Sequence, residues 1–451
     1  MAQSPTQALA QYVASADDVP AAVRQHAAAT FTNFVGCAVG GSRHEAIATA
    51  SRALLPFTGG TAATVIGRGE RADPLLAAQL NGMSAAVYSF DDTHAEAVVH
   101  PGGPVGCALL ALAEARPIAG RDFLLAYALG IEVACRVSKA VSVSPAVNEP
   151  GWVQTGITAG LGAAAAVGKV LGLDATRMAA ALGIAVCQAG GVRALARSMC
   201  FSLMAGQAAQ AGLRAALLAQ QGFTAGDDVL ESDNGFLRLY SKGPHPDHVT
   251  AGLGERFELL QVAFKPYPCG VVIHPAIDAG LELAGRGVAP ERIEGITVKL
   301  APASVRLVDT PQPRTVQEGQ SSVQHWVAAA LADGAAGLAQ GRQDKLADPR
   351  IAALRARIRL QEDPTLARDA ARVELALAGG DALQAQIDHC RGSADRPLTQ
   401  ADLGLKFRGL CAEALDADDT DRLLGLCERI ATLDDVAAIA RAAAGSKQTS
   451  P

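Results

Sequence analysis

The chain has 451 residues, of which 49% are hydrophobic, 19% are charged and only 4% are aromatic. Its apolar content comes mainly from Ala, Leu and Val, which favours packed helices over an aromatic β-sandwich. A net charge of −6 without a basic stripe makes nucleic acid and acidic membranes poor partners.

Cysteine usage and hydropathy predict the compartment. The nine cysteines lie scattered from Cys37 to Cys427 without a C-x-x-C pair, which favours free thiols in a reducing cytoplasm. Residues 1–20 contain no Lys or Arg, so we expect no signal peptide. No apolar run reaches the roughly 18 residues that span a bilayer, and we therefore expect a cytoplasmic protein without a membrane segment.

Residues 1–260 are predicted to be mostly helical. Asp73 and Pro74 have the character of a helix cap and a first helical residue, and an apolar run to Phe90 follows them. We expect Asp174 to cap a later helix and Gly222 to end another. The further predicted helices cover 104–116, 121–141, 155–171, 175–187 and 206–221.

The pattern changes near Lys265. Two prolines and a glycine predict a loop over 264–274, and alternating hydrophobicity predicts strands within 293–300, 373–377 and 383–387. The last two strands are joined by a turn at 379–381, a helix is expected over 320–333, and helix returns at Thr399. The predicted fold is mainly α with an inserted α+β domain: a large all-helical domain from 1–265 and 396–451, and a smaller α+β lid from 266–395.

The densest polar cluster covers residues 91–96 and 100–103. Asp92, His94 and Glu96 offer metal-ligand atoms, but no second cluster with ligand spacing and no H-E-x-x-H motif supports a metal. We favour a cofactor-free acid/base site, while a solvated, capped loop explains this segment equally well.

A second cluster covers residues 264–270 and His274. Lys265 beside apolar and aromatic groups can anchor a carboxylate or donate a proton; the alternative is a surface lysine in a linker. We interpret Cys269 as a buried, inert thiol rather than a nucleophile.

These clusters belong to a series of stretches that match one family in the same order over nearly the whole chain. The stretches are 90–93, 100–101, 151–155, 162–166, 205–209, 218–224, 265–274 and 403–408. Together they resemble the MmgE/PrpD family, which contains dehydratases, decarboxylases and epimerases of carboxylic acids.

The resemblance implies a homodimer without metal or organic cofactor and an active site between the helical domain and the lid. It also implies proton transfer at a carbon next to a carboxylate, with loss of water or carbon dioxide or return of the proton to the other face. We assign His100 and His325 as the acid/base pair, Lys265 as the carboxylate-binding cation, and Asp92 as the group that orients an imidazole or takes a proton. The residues that we assign to substrate binding are Asp91, Thr93, Gln154, Tyr267 and His274.

The chain departs from the family pattern at several site positions. Ser89 stands in place of an acid and Val153 in place of a histidine. Phe201 and Met204 replace a lysine and a histidine, and His325 stands in place of a tyrosine; His100 matches after a one-residue shift in spacing. The site therefore loses cations and gains apolar surface.

The resemblance implies a dehydratase-like lyase, and these departures predict that its small carboxylic acid is less anionic than citrate-type substrates. The alternatives are an epimerase or a decarboxylase on the same fold, or a catalytically silent binding or scaffold dimer.

Overall fold

The computed structural model describes residues 4–144 and 151–445, and within them the chain separates into two compact units. The larger unit contains the residues up to 87, residues 91–262 and the residues from 399 onward; the smaller unit contains 88–90 and 263–398. The larger unit is built almost entirely of helices and the smaller one combines helices with a sheet, so the chain is mainly α with a small α+β part. The predicted domain boundaries differ from these by three residues at each junction, and the membership of 88–90 in the smaller unit is not predicted.

The larger unit contains long helices with three very short strands between them. Before the smaller unit begins, the elements are α1 (Pro5–Ser15), α2 (Ala21–Gly41), α3 (Glu45–Leu54), β1 (Ala63–Thr64), β2 (Arg71–Ala72), α4 (Pro74–Ala86), β3 (Asp92–His94), α5 (Gly102–Ala115), α6 (Gly120–Ser142), α7 (Gln154–Val170), α8 (Ala175–Val186), α9 (Cys200–Gln220), α10 (Phe236–Tyr240) and α11 (Asp247–Thr250). Strand β4 (Val262–Phe264) follows at the junction.

The helix ends follow the capping residues in the sequence. The Asp73 carboxylate accepts hydrogen bonds from the first turn of α4, and the Asp174 carboxylate does the same for α8. Helix α4 ends at Ala86 rather than at Phe90, so that prediction is wrong at its carboxyl end. Helix α9 begins six residues before the predicted start at Gly206. This glycine lies inside the helix, where its missing side chain allows a close approach to α4.

Small side chains pack the helices of the larger unit tightly. Helix α7 contacts α6, α8 and α9, and its residues from Gln154 to Gly168 are all buried. Such an all-round buried helix needs neighbours on every side, as its alanine content predicts. No helix of the described chain is long and apolar enough to cross a membrane.

The smaller unit is a four-stranded sheet with helices packed on it. Its elements after β4 are α12 (His274–Gly285), β5 (Ile293–Leu300), α13 (Pro302–Val308), α14 (Val316–Gly319), α15 (Val323–Asp333), α16 (Gln343–Leu346), α17 (Pro349–Arg355), β6 (Ile358–Glu362), β7 (Ala371–Leu377) and β8 (Ala382–Ile387). The strand order is β6-β5-β7-β8, with β6 parallel to β5 and the other pairs antiparallel. The fully buried Trp326 and Val298 belong to its core, where α12 contacts α15, β7 and β8.

Strands β5, β7 and β8 and the turn at Gly379 and Gly380 confirm the sequence prediction. Strand β6 is not predicted, since its residues are at most half-buried and give a weak alternation at the sheet edge. The predicted loop over 264–274 is wrong at both ends, because Phe264 belongs to β4 and His274 begins α12.

After the smaller unit, the chain returns to the larger one through α18 (Gln400–Cys411), α19 (Ala417–Glu428) and α20 (Ala437–Ala442). Thr399 caps α18 in a reciprocal capping box with Asp402. The Phe407 ring packs on α2 at Gly36, and Lys406 Nζ donates to Asn33 Oδ1 over 2.7 Å.

The buried carboxylate of Glu258 connects the end of β3 with helix α6 in the larger unit. Glu258 accepts hydrogen bonds from His94 Nε2 at 3.1 Å and from Lys139 Nζ at 3.0 Å. Burial raises the pKa of Glu258, but the hydrogen bonds from His94 and Lys139 and the charge of Lys139 outweigh it and lower the pKa from 4.5 to about 2. The ionised carboxylate therefore stabilises the fold at neutral pH.

We expect Glu258→Gln to lower the free energy of unfolding by about 3 kcal/mol at pH 7, since it removes one partner of a buried ion pair. Because the folded-state pKa is lowered, this contribution is complete above pH 4.5 and is lost as the pH falls toward about 2. The difference in the free energy of unfolding between wild type and Glu258→Gln should therefore decrease as the pH falls from 4.5 to about 2. Urea titrations at several pH values measure this difference. The exposed Glu255→Gln is the matched control and should change stability by less than about 0.5 kcal/mol. If the loss of unfolding free energy in Glu258→Gln stayed constant down to pH 2, it would contradict stabilisation by the ionised Glu258 carboxylate.

Candidate active site

Asp92 is the fully buried centre of the first polar cluster. It lies in β3, and its Oδ2 accepts a hydrogen bond from the backbone N–H of Gly102 at 2.9 Å. Gly102 is the first residue of α5, where the helix dipole favours negative charge. A Cβ at position 102 would lie 2.5 Å from Asp92 Oδ1 and 2.8 Å from the Tyr127 hydroxyl, so only glycine allows this approach.

His100 is oriented by the same segment. Its Nδ1 lies 2.9 Å from the Asp92 carbonyl oxygen and 3.8 Å from Asp91 Oδ1. Since a carbonyl accepts only, Nδ1 carries the proton and the basic lone pair resides on Nε2. The side chain is 15% exposed, so this imidazole is accessible to a small molecule.

Thr155 contacts His100, and two further assigned residues, Thr93 and Gln154, are sequence neighbours of the residues that contact it. Thr155, in the first turn of α7, accepts a hydrogen bond from the His100 backbone N–H at 3.0 Å. Thr93 is buried, and its Oγ1 has no hydrogen-bond partner within the described residues. Gln154 is also buried and accepts from Arg193 at 3.4 Å.

His94 and Glu96 contact other partners and are not grouped with Asp92. The His94 Nδ1 accepts from the Ala97 N–H at 3.2 Å, so its Nε2–H donates to Glu258. Glu96 is 60% exposed and lies 3.4 Å from Lys139. Within the described residues, the group with metal-ligand spacing is instead Asp369, His389 and Asp395 in the smaller unit, which is largely exposed.

Lys265 follows β4 and is buried in the smaller unit, which corrects the alternative of a surface lysine in a linker. Only 2% of the residue is exposed, and its ammonium donates to Ser89 at the carbonyl oxygen (3.1 Å) and at Oγ (3.3 Å). A buried ammonium is a strong site for a carboxylate, because little water competes with the ion pair.

Tyr267 and His274 lie together in the smaller unit. Their rings meet edge to face with centroids 5.4 Å apart, and both residues are buried. The Tyr267 hydroxyl donates to Asp278, which also accepts from the Arg391 N–H at 2.6 Å. Burial and the neighbouring Asp278 carboxylate raise the pKa of Tyr267, so its phenol stays protonated.

His325 is fully buried in α15. Its ring Nε2 lies 2.8 Å from the Gln340 carbonyl oxygen, while Nδ1 has no hydrogen-bond partner within the described residues. Burial lowers the pKa of His325 against the opposing effect of the hydrogen bond to Gln340. The ring is therefore neutral, with its proton on Nε2 and its lone pair on Nδ1.

Apolar groups fill three of the positions at which the chain departs from the family pattern. Val153 and Met204 are both buried in the larger unit, and Phe201 is half-buried. Cys269 is fully buried and burial raises the pKa of its thiol, which confirms the interpretation as an inert cysteine.

The structure groups the predicted site residues into separate sets. Asp91, Asp92 and His100 are together in the larger unit. Lys265, the Tyr267–His274 pair and His325 are in the smaller one.

Sequence reasoning did not assign a role to Ser89, Thr155 or Glu258, although each holds an assigned residue or its loop. The sequence offered a signal for two of them, because Thr155 lies inside a matched stretch and Ser89 directly precedes one. Nothing in the sequence points to Glu258, which is 164 residues from its partner His94.

Comparison with known proteins connects this geometry to a family. Residues 7–249 match the MmgE/PrpD N-terminal domain, and residues 267–430 match the MmgE/PrpD C-terminal domain. Cis-aconitate decarboxylase from Mus musculus is 31% identical, covering 85% of this chain and 82% of the relative, and that from Homo sapiens is 30% identical, covering 88% and 85%. A 2-methylcitrate dehydratase from Cupriavidus necator is 31% identical over 36% of this chain and 35% of its own length.

Both named activities break a bond to carbon without hydrolysis, so the predicted enzyme class, a lyase, is confirmed. The two domain matches together cover the larger part of the chain in the predicted order. The chain belongs to the MmgE/PrpD family.

Proposed function

We propose that this protein is a cofactor-independent lyase that transfers a proton at the carbon next to a carboxylate of a small carboxylic acid. The observation that carries the proposal is the orientation of His100 by the Asp92 carbonyl, which leaves the basic lone pair on Nε2. The similarity to decarboxylases and a dehydratase of carboxylic acids supports the same reaction class.

We assign the proton transfer to His100, with the neighbouring carboxylates of Asp91 and Asp92 beside it. In a dehydration, Nε2 removes the proton next to the carboxylate, and the hydroxyl on the adjacent carbon leaves as water after it takes up a proton. In a decarboxylation, the imidazole first takes up a proton from water at Nε2. The C–CO₂ bond then breaks, carbon dioxide leaves, the electron pair of the broken bond stays on carbon, and the imidazolium protonates that carbon. The Asp91 carboxylate, 3.8 Å from Nδ1, stabilises the imidazolium in both cases.

Lys265 supplies the charge that a carboxylate requires. The electron pair released at the neighbouring carbon is delocalised onto the carboxylate oxygens, and an ammonium beside them stabilises this charge. Lys265 and His100 belong to different units, and their action on one substrate is part of the proposal. It is supported by the sequence, in which Ser89, the partner of Lys265, precedes Asp91 by two residues. The assignments of Thr93, Gln154, Tyr267 and His274 to substrate binding and of His325 as second acid/base group stay predictions, as does the homodimer.

The substrate that we propose carries fewer carboxylates than cis-aconitate or 2-methylcitrate. Val153, Phe201 and Met204 offer no hydrogen bond to an anion, and burying an unpartnered carboxylate beside Val153 or Met204 is costly. A dicarboxylic or monocarboxylic acid with a hydroxyl group or a double bond next to the reacting carbon fits this environment better.

A panel of acids tests the proposed reaction. We expect faster turnover of unsaturated or hydroxylated mono- and dicarboxylic acids than of cis-aconitate or 2-methylcitrate, with NMR of the products separating water loss from carbon dioxide loss. Preference for cis-aconitate would contradict the substrate class. Tight binding of an acid without any product would contradict the enzyme and favour a binding protein.

Substitutions at His100 and Lys265 should affect different kinetic constants. We expect His100→Gln to lower kcat by about 100-fold or more with little change in KM, since a general base acts in the transition state. Lys265→Met should raise KM as well, because it also binds the ground-state carboxylate. A KM that stays at the wild-type value in Lys265→Met would contradict the binding of the substrate carboxylate by Lys265.

The Thr155 hydroxyl is expected to set the position of His100. Thr155→Val should lower kcat by about tenfold, because it leaves the partly buried His100 N–H without its acceptor, whereas Thr155→Ser should restore activity. Thr158→Val is the matched control: Thr158 is buried one turn later in α7 and bonds only its own helix at Gln154 O. Equal losses of activity in the two valine variants, at equal loss of stability, would contradict the role of Thr155.

A further inference from the structure

Ser89 contacts the Lys265 ammonium with two atoms at once. The carbonyl oxygen lies 3.1 Å and Oγ lies 3.3 Å from Nζ, and both residues are buried. A hydrogen bond from a charged donor is stronger than one between neutral groups, so this pair of acceptors fixes where the charge lies.

The backbone at Ser89 is held in an unfavourable conformation. Its φ is +51°, and within the described residues only Ser89 and Val98 combine a side chain with a positive φ. Residues other than glycine are rare in this region, and asparagine and aspartate are the side chains that tolerate it best. Such strain persists where the surrounding structure imposes it, and here it coincides with the contact to Lys265.

Both acceptors that Ser89 offers to the Lys265 ammonium are uncharged. A carbonyl and a hydroxyl orient an ammonium without carrying an opposite charge of their own. A carboxylate at the same position would form a buried ion pair with Lys265 and offset the attraction that an incoming anion experiences.

We propose that Ser89 is a specificity-determining positioning residue that orients Lys265 through neutral atoms and so sets its affinity for a substrate carboxylate. This inference rests on the proposed function, because it needs Lys265 to bind that carboxylate. Ser89 itself acts through Lys265 and does not touch the reacting atoms.

The decisive comparison is between Ser89→Asn and Ser89→Asp, two side chains of nearly equal size that both tolerate a positive φ and differ in charge. With the preferred acid of the substrate panel, we expect KM to be about tenfold or more higher in Ser89→Asp than in Ser89→Asn, while kcat differs less. In the Lys265→Met background, the same exchange should change KM by less than about twofold, because the cation on which it acts is gone. Equal KM values in the two variants would overturn the proposal.

A measurement without turnover separates the contact from the reaction. The chain has eight lysines, so NMR of lysine labelled with ¹³C at Cε can follow each one, and Lys265→Met assigns the signal of Lys265. A carboxylate in contact with Nζ changes the electric field at Cε, so we expect the Lys265 ¹³Cε signal to differ between Ser89→Asp and Ser89→Asn at the same pH. Identical signals would show that residue 89 does not hold the ammonium and would overturn the proposal.

The kinetic and NMR measurements distinguish a failure of the proposed function from a failure of the proposed role of Ser89. A wild type that turns over no acid defeats the proposed function and the specificity role of Ser89, and the NMR comparison then still decides whether the contact exists. Turnover with the expected KM difference but identical Lys265 signals in the two variants defeats only the positioning by Ser89. If Ser89→Asp fails to fold by near-UV circular dichroism, Ser89→Gly replaces it: it retains the carbonyl acceptor and removes the hydroxyl, and its KM should rise above that of Ser89→Asn. A Ser89→Gly variant with the KM of wild type would overturn the role of the hydroxyl.

Discussion

The hydrogen bond between the Asp92 carboxylate and the first N–H of α5 is the constraint on which the arrangement of the larger unit's site depends. Asp92 is fully buried, so its charge requires partners, and the N-terminus of a helix supplies both an N–H group and a favourable dipole. The same residue uses its carbonyl to orient His100. One buried aspartate therefore links the position of a helix to the tautomer of an imidazole.

The segment between Asp91 and His100 is fixed at several points besides this one. His94 is tied to Glu258, and the His100 backbone is tied to Thr155 at the start of α7. Val98, a β-branched residue, has a φ of +54° within the same segment. Strain of this kind costs about 1–3 kcal/mol and remains only where neighbouring contacts impose it. The number of ties on so short a segment agrees with a need to hold His100 rigidly.

The sequence predicts most where local chemistry decides the structure. The sequence predicts the caps at Asp73, Asp174 and Thr399, because an aspartate or threonine side chain bonds to N–H groups two or three residues later. Alternating apolar and polar residues predict strands β5, β7 and β8. The edge strand β6 has no buried face that would produce this alternation. The family resemblance directed attention to His100 and Lys265, but not to the groups that hold them. Those groups are set by contacts over 55 residues for Thr155 and 176 for Ser89, which no local pattern encodes.

The replaced positions and the retained ones support a single interpretation of the chemistry. A buried ammonium is costly unless it has partners or binds an anion. Lys265 is nevertheless retained and held by two oxygens of Ser89, while Val153 and Met204 remove polar groups elsewhere. If Lys265 binds a carboxylate as proposed, the loss of polar groups at other positions reduces the number of carboxylates that can be bound without abolishing the binding of one. The proposal of a changed substrate accounts for this combination, since it keeps the proposed acid/base group and one proposed carboxylate site.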